Sequence, residues 1–147
     1  MRTIRRKRMW WILSVLMVII AVGLFMAMRV DGPNRKEASR LQFEKVQFSN
    51  LKDGTYIGKW EGSTSHIRDT QIEVKVSGGE VESFTILKGA VPKNGQPVKL
   101  TKGRTIDDLF KSALEAKSLS VDVISGATVT SKTHLKAFED ALKQAAH

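Results

Sequence analysis

The sequence predicts an α+β fold, consisting of a single small domain with an antiparallel β-hairpin or sheet and two helices, preceded by one N-terminal transmembrane helix. Three observations support this prediction. A run of 20 uncharged residues lies near the N-terminus, two β-type runs flank a glycine turn, and two later segments have helical periodicity. No internal repeat is present.

Composition excludes several classes of protein. The chain has 147 residues and no cysteine, which excludes a disulfide framework, cysteine-ligated zinc or iron–sulfur sites and thiol catalysis. The net charge of +9 is concentrated in residues 1–40, which hold nine Lys/Arg and two acidic residues. Nucleic-acid binding needs a basic excess on the folded part of the chain, so we expect none.

The uncharged run, Met9–Met28, is about 30 Å long as a helix and matches the hydrocarbon core of a bilayer. Trp10 and Trp11 stand at its N-terminal edge, where aromatic rings favour the membrane interface. Arg5–Arg8 precede it without an acidic residue, which predicts a single-pass cell-membrane protein with a cytoplasmic N-terminus and an extracytoplasmic C-terminal domain. The alternatives are a cleaved signal peptide, with small residues at Ala21–Gly23, and a buried helix of a soluble core.

The β-type runs follow the Asp53-Gly54 turn. Thr55–Trp60 is the first predicted strand. Residues 71–76 alternate between polar and apolar side chains, as expected for a half-buried strand. Ser77–Glu80 is a turn that leads into Val81–Leu87, so the two runs form a hairpin.

Two helices are predicted in the second half of the chain. Thr105 is the expected N-cap of the first, with Asp108 three residues later, and apolar residues from Ile106 to Leu114 recur at helical spacing. The second helix is expected to be capped by Thr130 or Ser131. Two short strands are also expected, at Val98–Leu100 and Ser120–Ile124.

The segment Asp122–Ser131, DVISGATVTS, precedes the closing helix. Its small residues allow a ligand to approach the backbone, and its hydroxyls cluster beside the free amides of a helix N-terminus, which favour a phosphate. The same residues are typical of an ordinary turn and cap, so this pattern alone leaves both interpretations open. The hydroxyl residues are Ser125, Thr128, Thr130 and Ser131.

Asp-x-x-Ser-Gly-Ala-Thr at 122–128, followed by hydroxyl residues and a helix, resembles the covalent flavinylation motif of the FMN-binding domain family. That family includes components of the sodium-translocating NADH:quinone reductase and of the Rnf complex. The resemblance covers roughly residues 50–147 and begins with the Asp53–Tyr56 segment. Together with the N-terminal run and the polar segment after it, the resemblance divides the chain into four segments: a basic cytoplasmic tail at 1–8, a transmembrane anchor at 9–28, a linker at 29–48 and an FMN-binding domain at 49–147.

The resemblance also implies residue roles. Thr128 would carry FMN through a phosphodiester, made by a flavin transferase that uses FAD as donor. Asp122 would serve recognition by that transferase, while Gly126 and Ala127 would leave room for the phosphate and ring. No catalytic residue and no metal ligand is assigned. The further expected cofactor contacts are Asp122, Ser125, Gly126, Ala127, Thr130 and Ser131.

The expected function is therefore a membrane-anchored, extracytoplasmic electron-transfer flavoprotein. The sequence has no Gly-x-Gly-x-x-Gly fingerprint, so electrons must come from a redox partner protein or the membrane quinone pool. The alternatives are a non-redox sensor or interaction domain of the same fold and a non-covalent flavin reductase. The sequence does not decide whether the chain is an enzyme, nor its donor, acceptor, redox potential or oligomeric state.

Other polar residues of the closing helix are interpreted as structural. His134 stands one turn into the helix, where a flavin contact and a solvated position are the two interpretations, and the solvated one is favoured. Lys132, Lys136 and Lys143 are expected to form a solvated face.

Overall fold

The computed structural model describes the backbone of residues 2–63 and 66–146, and the side chains of these residues other than 2–8, 30, 31 and 34. The chain forms two compact units, Met1–Pro33 and Asn34–His147. The α+β fold class is confirmed, with a three-stranded antiparallel sheet and three α-helices in the described part of the chain.

Helix α1 runs over Arg2–Ser39 and contains the predicted membrane segment. Its Met9–Arg29 portion has a mean hydropathy of 2.6 and is long and apolar enough to cross a membrane. None of this window is buried, and Trp10 and Met17 are 71 % and 75 % exposed. A core helix of a soluble protein would bury such side chains. The side chains of the basic cluster at 5–8 lie outside the described residues.

The sheet has the order β1-β2-β3, with β1 at Gly54–Trp60, β2 at Thr70–Ser77 and β3 at Glu80–Lys88. Ile72, Val74 and Val76 of β2 are buried, as the alternation predicts. The predicted hairpin is confirmed, because β2 and β3 pair antiparallel across Gly78-Gly79. Both glycines have positive φ (63° and 80°), which a two-residue hairpin turn of this hand requires.

Helix α2 spans Ile106–Ala116 and begins with the predicted capping box. The Asp108 amide donates to the Thr105 hydroxyl at 3.2 Å, and the Thr105 amide donates to the Asp108 carboxylate at 2.8 Å. Two hydrogen bonds from Thr105 hold the pKa of Asp108 below its usual value. The sequence therefore predicted the start of this helix correctly.

Helix α3, Thr128–Ala146, packs on the sheet and contributes more buried apolar residues to the core than any other described helix or strand. Phe138 of α3 stacks on Phe110 of α2 with 4.8 Å between ring centroids, and Phe84 of β3 meets Phe110 edge-on at 5.1 Å. These three rings join the sheet and both helices into one core.

Neither of the two additional predicted strands forms. Residues 98–100 and 120–124 have no regular secondary structure. Val98 and Leu100 instead line a cavity, and Ile124 is buried in the core. The described sheet consists of β1 to β3 alone, and the side chains of the two segments pack in the cavity wall and the core without a strand pairing.

Residues 40–48, which we call the strap, lie along α3. Lys132 donates to the carbonyl oxygens of Ser39 and Leu41 at 2.6 and 3.3 Å, and Lys136 donates to that of Gln42 at 3.1 Å. Lys143 pairs with Glu44 at 2.9 Å. The prediction of a solvated lysine face is therefore wrong, because these ammonium groups bind main-chain and carboxylate oxygens of the strap and of Ser39, which precedes it.

The strap also covers a buried carboxylate. Glu139 of α3 is 1 % exposed and accepts hydrogen bonds from Lys136 at 2.8 Å, Lys143 at 3.0 Å and the Glu44 amide at 3.2 Å. Its oxygens are therefore satisfied by two cations and a backbone donor, as a buried charge requires. Hydrogen bonds to Glu44 and Glu139 raise the pKa of Lys143.

Gly58 of β1 permits the closest approach between the sheet and α3. A Cβ at this position would overlap the carbonyl oxygen of Ala137 and stand 2.8 Å from the Cβ of Ala141. Since the Ala137 oxygen is backbone, rotamer changes cannot relieve the overlap. A side chain of any size would therefore push α3 away from β1.

We expect Gly58→Ala to lower the free energy of unfolding by about 3 kcal/mol, the upper end of the usual cost of overpacking, because the overlap is with a backbone oxygen. Urea unfolding of the full chain in detergent micelles measures the change. Lys59→Ala, at the next and exposed position of the same strand, is the control and should cost less than about 0.5 kcal/mol. Equal stability of the two variants would show that β1 and α3 are not in this contact.

Candidate functional site

The predicted motif forms a tight turn followed directly by α3. The Ala127 amide donates to the Ile124 carbonyl oxygen at 2.9 Å, and Gly126 has a φ of +80°, as the third residue of such a turn requires. A Cβ at Gly126 would also stand 2.9 Å from the Thr101 hydroxyl. Both the turn and this close approach therefore favour glycine at position 126.

The prediction that Thr130 or Ser131 caps the closing helix is wrong. The helix begins at Thr128, and its first backbone hydrogen bond runs from the Ser131 amide to the Ala127 carbonyl oxygen at 2.9 Å. The flanking residue is therefore Ala127, which has no side-chain oxygen for capping. The first-turn amides, which have no acceptor within the helix, thus receive no hydrogen bond from a capping side chain at this position.

Thr128 is exposed at the first position of α3. A hydroxyl at this position stands beside the positive end of the helix dipole, where a phosphate group is electrostatically stabilised. Ser125 and Gly126 are also exposed, and Ala127 is half-buried. The structure therefore brings Ser125 to Thr128 together in one turn at the surface, with Thr128 accessible to a second protein.

Ser131 is fully buried and its hydroxyl is used inside the protein. It donates to the Ala127 carbonyl oxygen at 2.9 Å and accepts from the Ile124 amide at 3.2 Å. These two bonds fasten the residues before the turn to the first turn of the helix. Ser131 therefore stabilises the motif turn through hydrogen bonds.

In the chain, Asp122 precedes the turn and Thr130 follows it. Asp122 is exposed in the irregular segment before it. Thr130 is half-buried, and its carbonyl oxygen accepts from Nδ1 of His134 at 2.7 Å. Thr130 also lines a cavity, so it belongs to both the motif and the cavity wall.

This cavity, of about 290 Å³, is formed by four segments of the chain. They are the approach to β2, the residues after β3, the 98–100 segment and the first two turns of α3. Its size is close to the lower end of small-molecule sites. The lining residues are Ile67, Arg68, Asp69, Thr70, Gly89, Ala90, Val98, Leu100, Thr130, Thr133 and His134.

His134 joins two of these segments and is only 2 % exposed. Because the Thr130 carbonyl oxygen can only accept, Nδ1 carries the proton, and Nε2 then accepts from the Ala90 amide at 3.0 Å. Burial lowers the pKa of His134 to about 4, against a smaller opposing effect of the Thr130 carbonyl. The imidazole is therefore neutral at pH 7.

The solvated interpretation of His134 is therefore wrong. The signal was present in the sequence, because His134 lies four residues before Phe138 and so on the same helix face as the core. Histidine is an ambiguous residue in such a pattern, since it is found both buried and exposed. Sequence reasoning also missed Thr70 and Thr133, whose hydroxyls are 3.3 Å apart in the cavity wall.

A buried carboxylate, that of Asp69, also lines the cavity. Asp69 is 5 % exposed and accepts from Lys88 at 3.0 Å, from His66 at 3.1 Å and from the Gly62 amide at 3.1 Å. Burial raises the pKa of Asp69, but these three hydrogen bonds outweigh it and hold the pKa below its usual value. In the described part of the chain, no three His, Asp or Glu side chains are grouped as a metal site.

Comparison with known proteins identifies the domain type. Residues 66–143 match the model of a family described as FMN-binding domain. The match covers just over half of the chain, from the segment before β2 through the motif turn to the last turns of α3. No curated protein matches the chain significantly.

We expect the free energy of unfolding to fall as the pH is lowered from 6.5 towards 4, because the unfolded chain then binds a proton that folded His134 does not. The full loss over this window is about 3 kcal/mol, at roughly 1.4 kcal/mol per unit of pKa difference. His134→Gln retains one donor and one acceptor but does not titrate, so this variant should lose most of the dependence. Urea unfolding of both chains between pH 4.5 and pH 7 measures it. Equal pH dependence in the two chains would contradict the buried neutral imidazole.

Proposed function

The chain belongs to the FMN-binding domain family, and on that basis we propose that it is a membrane-anchored, extracytoplasmic electron-transfer flavoprotein whose FMN is attached to Thr128 through a phosphodiester. The family match gives the flavin-binding role. The observation that carries the rest of the proposal is the position of Thr128, exposed at the first residue of α3 directly after the glycine turn.

Attachment is a phosphoryl transfer from FAD, catalysed by a flavin transferase. The Thr128 hydroxyl oxygen forms the new bond to the flavin-side phosphorus, the pyrophosphate bond of FAD breaks, AMP leaves and the hydroxyl proton is released. This reaction needs a threonine that a second protein can reach. The exposure of Thr128, and the exposed turn residues Ser125 and Gly126 before it, support this requirement.

The N-terminus of α3 would stabilise the negative charge of the phosphodiester product. A phosphodiester keeps one negative charge, and the amides of the first helical turn together with the helix dipole stabilise an anion placed there. Ala127 precedes the helix and has no side-chain oxygen to occupy those amides. A polar cap at this position would compete with the phosphate for the same donors.

The cavity beside the motif supports the binding of a flat ligand. When bound, FMN supplies one- and two-electron redox chemistry, while the protein supplies binding, orientation and the surrounding dielectric. Thr130 extends from the motif into the cavity wall, and the apolar Val98 and Leu100 exclude water from another side. The neutral imidazole of His134 holds Ala90 in place on the wall by hydrogen bonding.

The N-terminal segment supports membrane attachment and orientation. Helix α1 contains a span long and apolar enough for a bilayer. The basic residues before it, with no acidic residue among them, favour a cytoplasmic N-terminus. The flavin domain then lies outside the cytoplasm, where it exchanges electrons with a redox partner protein or the membrane quinone pool.

We expect Thr128→Ala to abolish covalent flavin, because no phosphodiester can form without the hydroxyl. Full-length chains are purified from cells that contain an active flavin transferase, and intact mass and in-gel flavin fluorescence after denaturation are measured. The wild-type chain should be heavier by one FMN less one water. Ser120→Ala and Thr85→Ala, which remove exposed hydroxyls outside the motif, are the matched controls and should keep covalent flavin.

Three other outcomes would contradict the proposal in different ways. Covalent flavin in Thr128→Ala would place the attachment on another residue. Flavin that is released on denaturation would indicate a non-covalent flavin reductase. A colourless wild-type chain of unmodified mass, in cells with demonstrably active transferase, would indicate a sensor or interaction domain.

A further inference from the structure

Positive charge is concentrated in the segment from Lys88, the last residue of β3, to Arg104, beside the candidate flavin site. Residues 88–104 contain five Lys/Arg side chains and no Asp or Glu. The rest of residues 41–147 contains ten basic and thirteen acidic residues. The loop is therefore basic on a domain that is otherwise slightly acidic.

Four of the five cations of this segment face solvent. Lys88 pairs with Asp69 at 3.0 Å. The other four are exposed and form no ion pair with any residue in the described ranges 2–63 and 66–146. They are Lys93, Lys99, Lys102 and Arg104. Arg104 is attracted electrostatically to Asp108, whose pKa it helps to lower, whereas the three lysines have no such partner among the described residues. Clustered cations of this kind create a field that attracts acidic surfaces.

The loop adjoins both the motif turn and the cavity. The Leu100 amide donates to the Arg104 carbonyl oxygen at 2.8 Å, so residues 100–104 form a tight turn that carries Lys102 and Arg104. Thr101 of this turn lies against Gly126, where an added Cβ would stand 2.9 Å from its hydroxyl. Lys99 stands in the chain between Val98 and Leu100, which both line the cavity.

Exposed apolar side chains accompany the cations. Ile67 lines the cavity and is 66 % exposed. Val91 follows the cavity residue Ala90 and is 40 % exposed. Apolar side chains with charged groups around them are the arrangement of a protein-docking surface, in which the apolar part gives affinity and the charges give orientation and association rate.

We propose that the loop 93–104 and the exposed side chains at the cavity mouth form a docking surface for an acidic one-electron carrier protein. This inference rests on the proposed electron-transfer function and names the class of partner. Each encounter moves one electron between the flavin and the carrier, so one is oxidised and the other reduced by one electron. A second encounter completes the two-electron change, and the protons involved are exchanged with water.

An acidic protein is favoured over an anionic lipid surface by the position of the loop. A redox partner must approach the flavin, and the unpaired cations stand on the segment that forms part of the flavin-side cavity and contacts the motif turn. Lipid headgroups have no such requirement. Contact with lipid is therefore one outcome of the test.

The test uses the full chain in phosphatidylcholine nanodiscs and two small haem proteins of opposite charge, acidic cytochrome b5 and basic cytochrome c. Lys99→Gln/Lys102→Gln removes two cations of the loop. Lys45→Gln/Lys59→Gln removes two exposed cations elsewhere and is the matched control. Association is measured by biolayer interferometry, and reduction of ferric haem by the pre-reduced flavin is measured by stopped flow. Thermal unfolding and the flavin midpoint potential are measured for every chain.

For cytochrome b5 we expect association and electron transfer to slow roughly tenfold between about 20 mM and about 300 mM salt, as screening shortens the range of the field. At low salt the Lys99→Gln/Lys102→Gln chain should associate roughly three- to tenfold more slowly, and the control chain within about twofold of wild type. For cytochrome c the salt dependence should be absent or reversed. The salt series uses the wild-type chain, so this part of the test does not depend on whether the variants fold.

Two results would overturn the inference. One is an equal effect of the loop and control substitutions on cytochrome b5. The other is an unchanged cytochrome b5 rate together with protection of residues 93–104 from hydrogen exchange in phosphatidylglycerol nanodiscs, which would assign the loop to lipid.

Thr128→Ala keeps the loop cations and should bind cytochrome b5 as wild type does. Binding without covalent flavin in the wild-type chain would therefore contradict the proposed function and leave the docking surface supported.

Discussion

The direct contact between β1 and α3, made possible by the missing side chain of Gly58, fixes the position of the helix on which the candidate site depends. Helix α3 begins at Thr128, and Thr133 and His134 in its second turn line the cavity. Packing of α3 against the sheet therefore positions all three residues. The attachment point and the cavity wall are therefore parts of one rigid element. A site built on a packed helix keeps its geometry better than one built on loops alone.

Buried polar groups of α3 attach the surrounding loops to that helix. The Ser131 hydroxyl holds the segment before the motif turn, and the His134 imidazole holds the residues after β3. Glu139, with Lys136 and Lys143, holds the strap. Each group has its partners, so burial does not leave an unsatisfied donor or acceptor. The loops around the site are thus positioned by specific hydrogen bonds as well as by apolar packing.

Local sequence signals predicted the elements that depend on local interactions. The hairpin depends on alternation and on Gly78-Gly79, and α2 begins with a capping box between Thr105 and Asp108, so both could be predicted correctly. The motif turn was recognised by its small residues and by resemblance. Features that depend on distant partners could not be predicted in this way. Residues 120–124 have strand-type side chains but pair with no strand of the described sheet, and the α3 lysines look solvated until the strap is placed beside them.

The central claim is that FMN is joined to the hydroxyl at the start of α3, and tandem mass spectrometry of one tryptic peptide tests it most directly. Cleavage after Lys117 and Lys132 releases residues 118–132, which include every hydroxyl of the motif. The account predicts that fragment ions place the mass of FMN less one water on Thr128. The same mass on Ser125, Thr130 or Ser131, or an unmodified peptide from cells with active transferase, would contradict it.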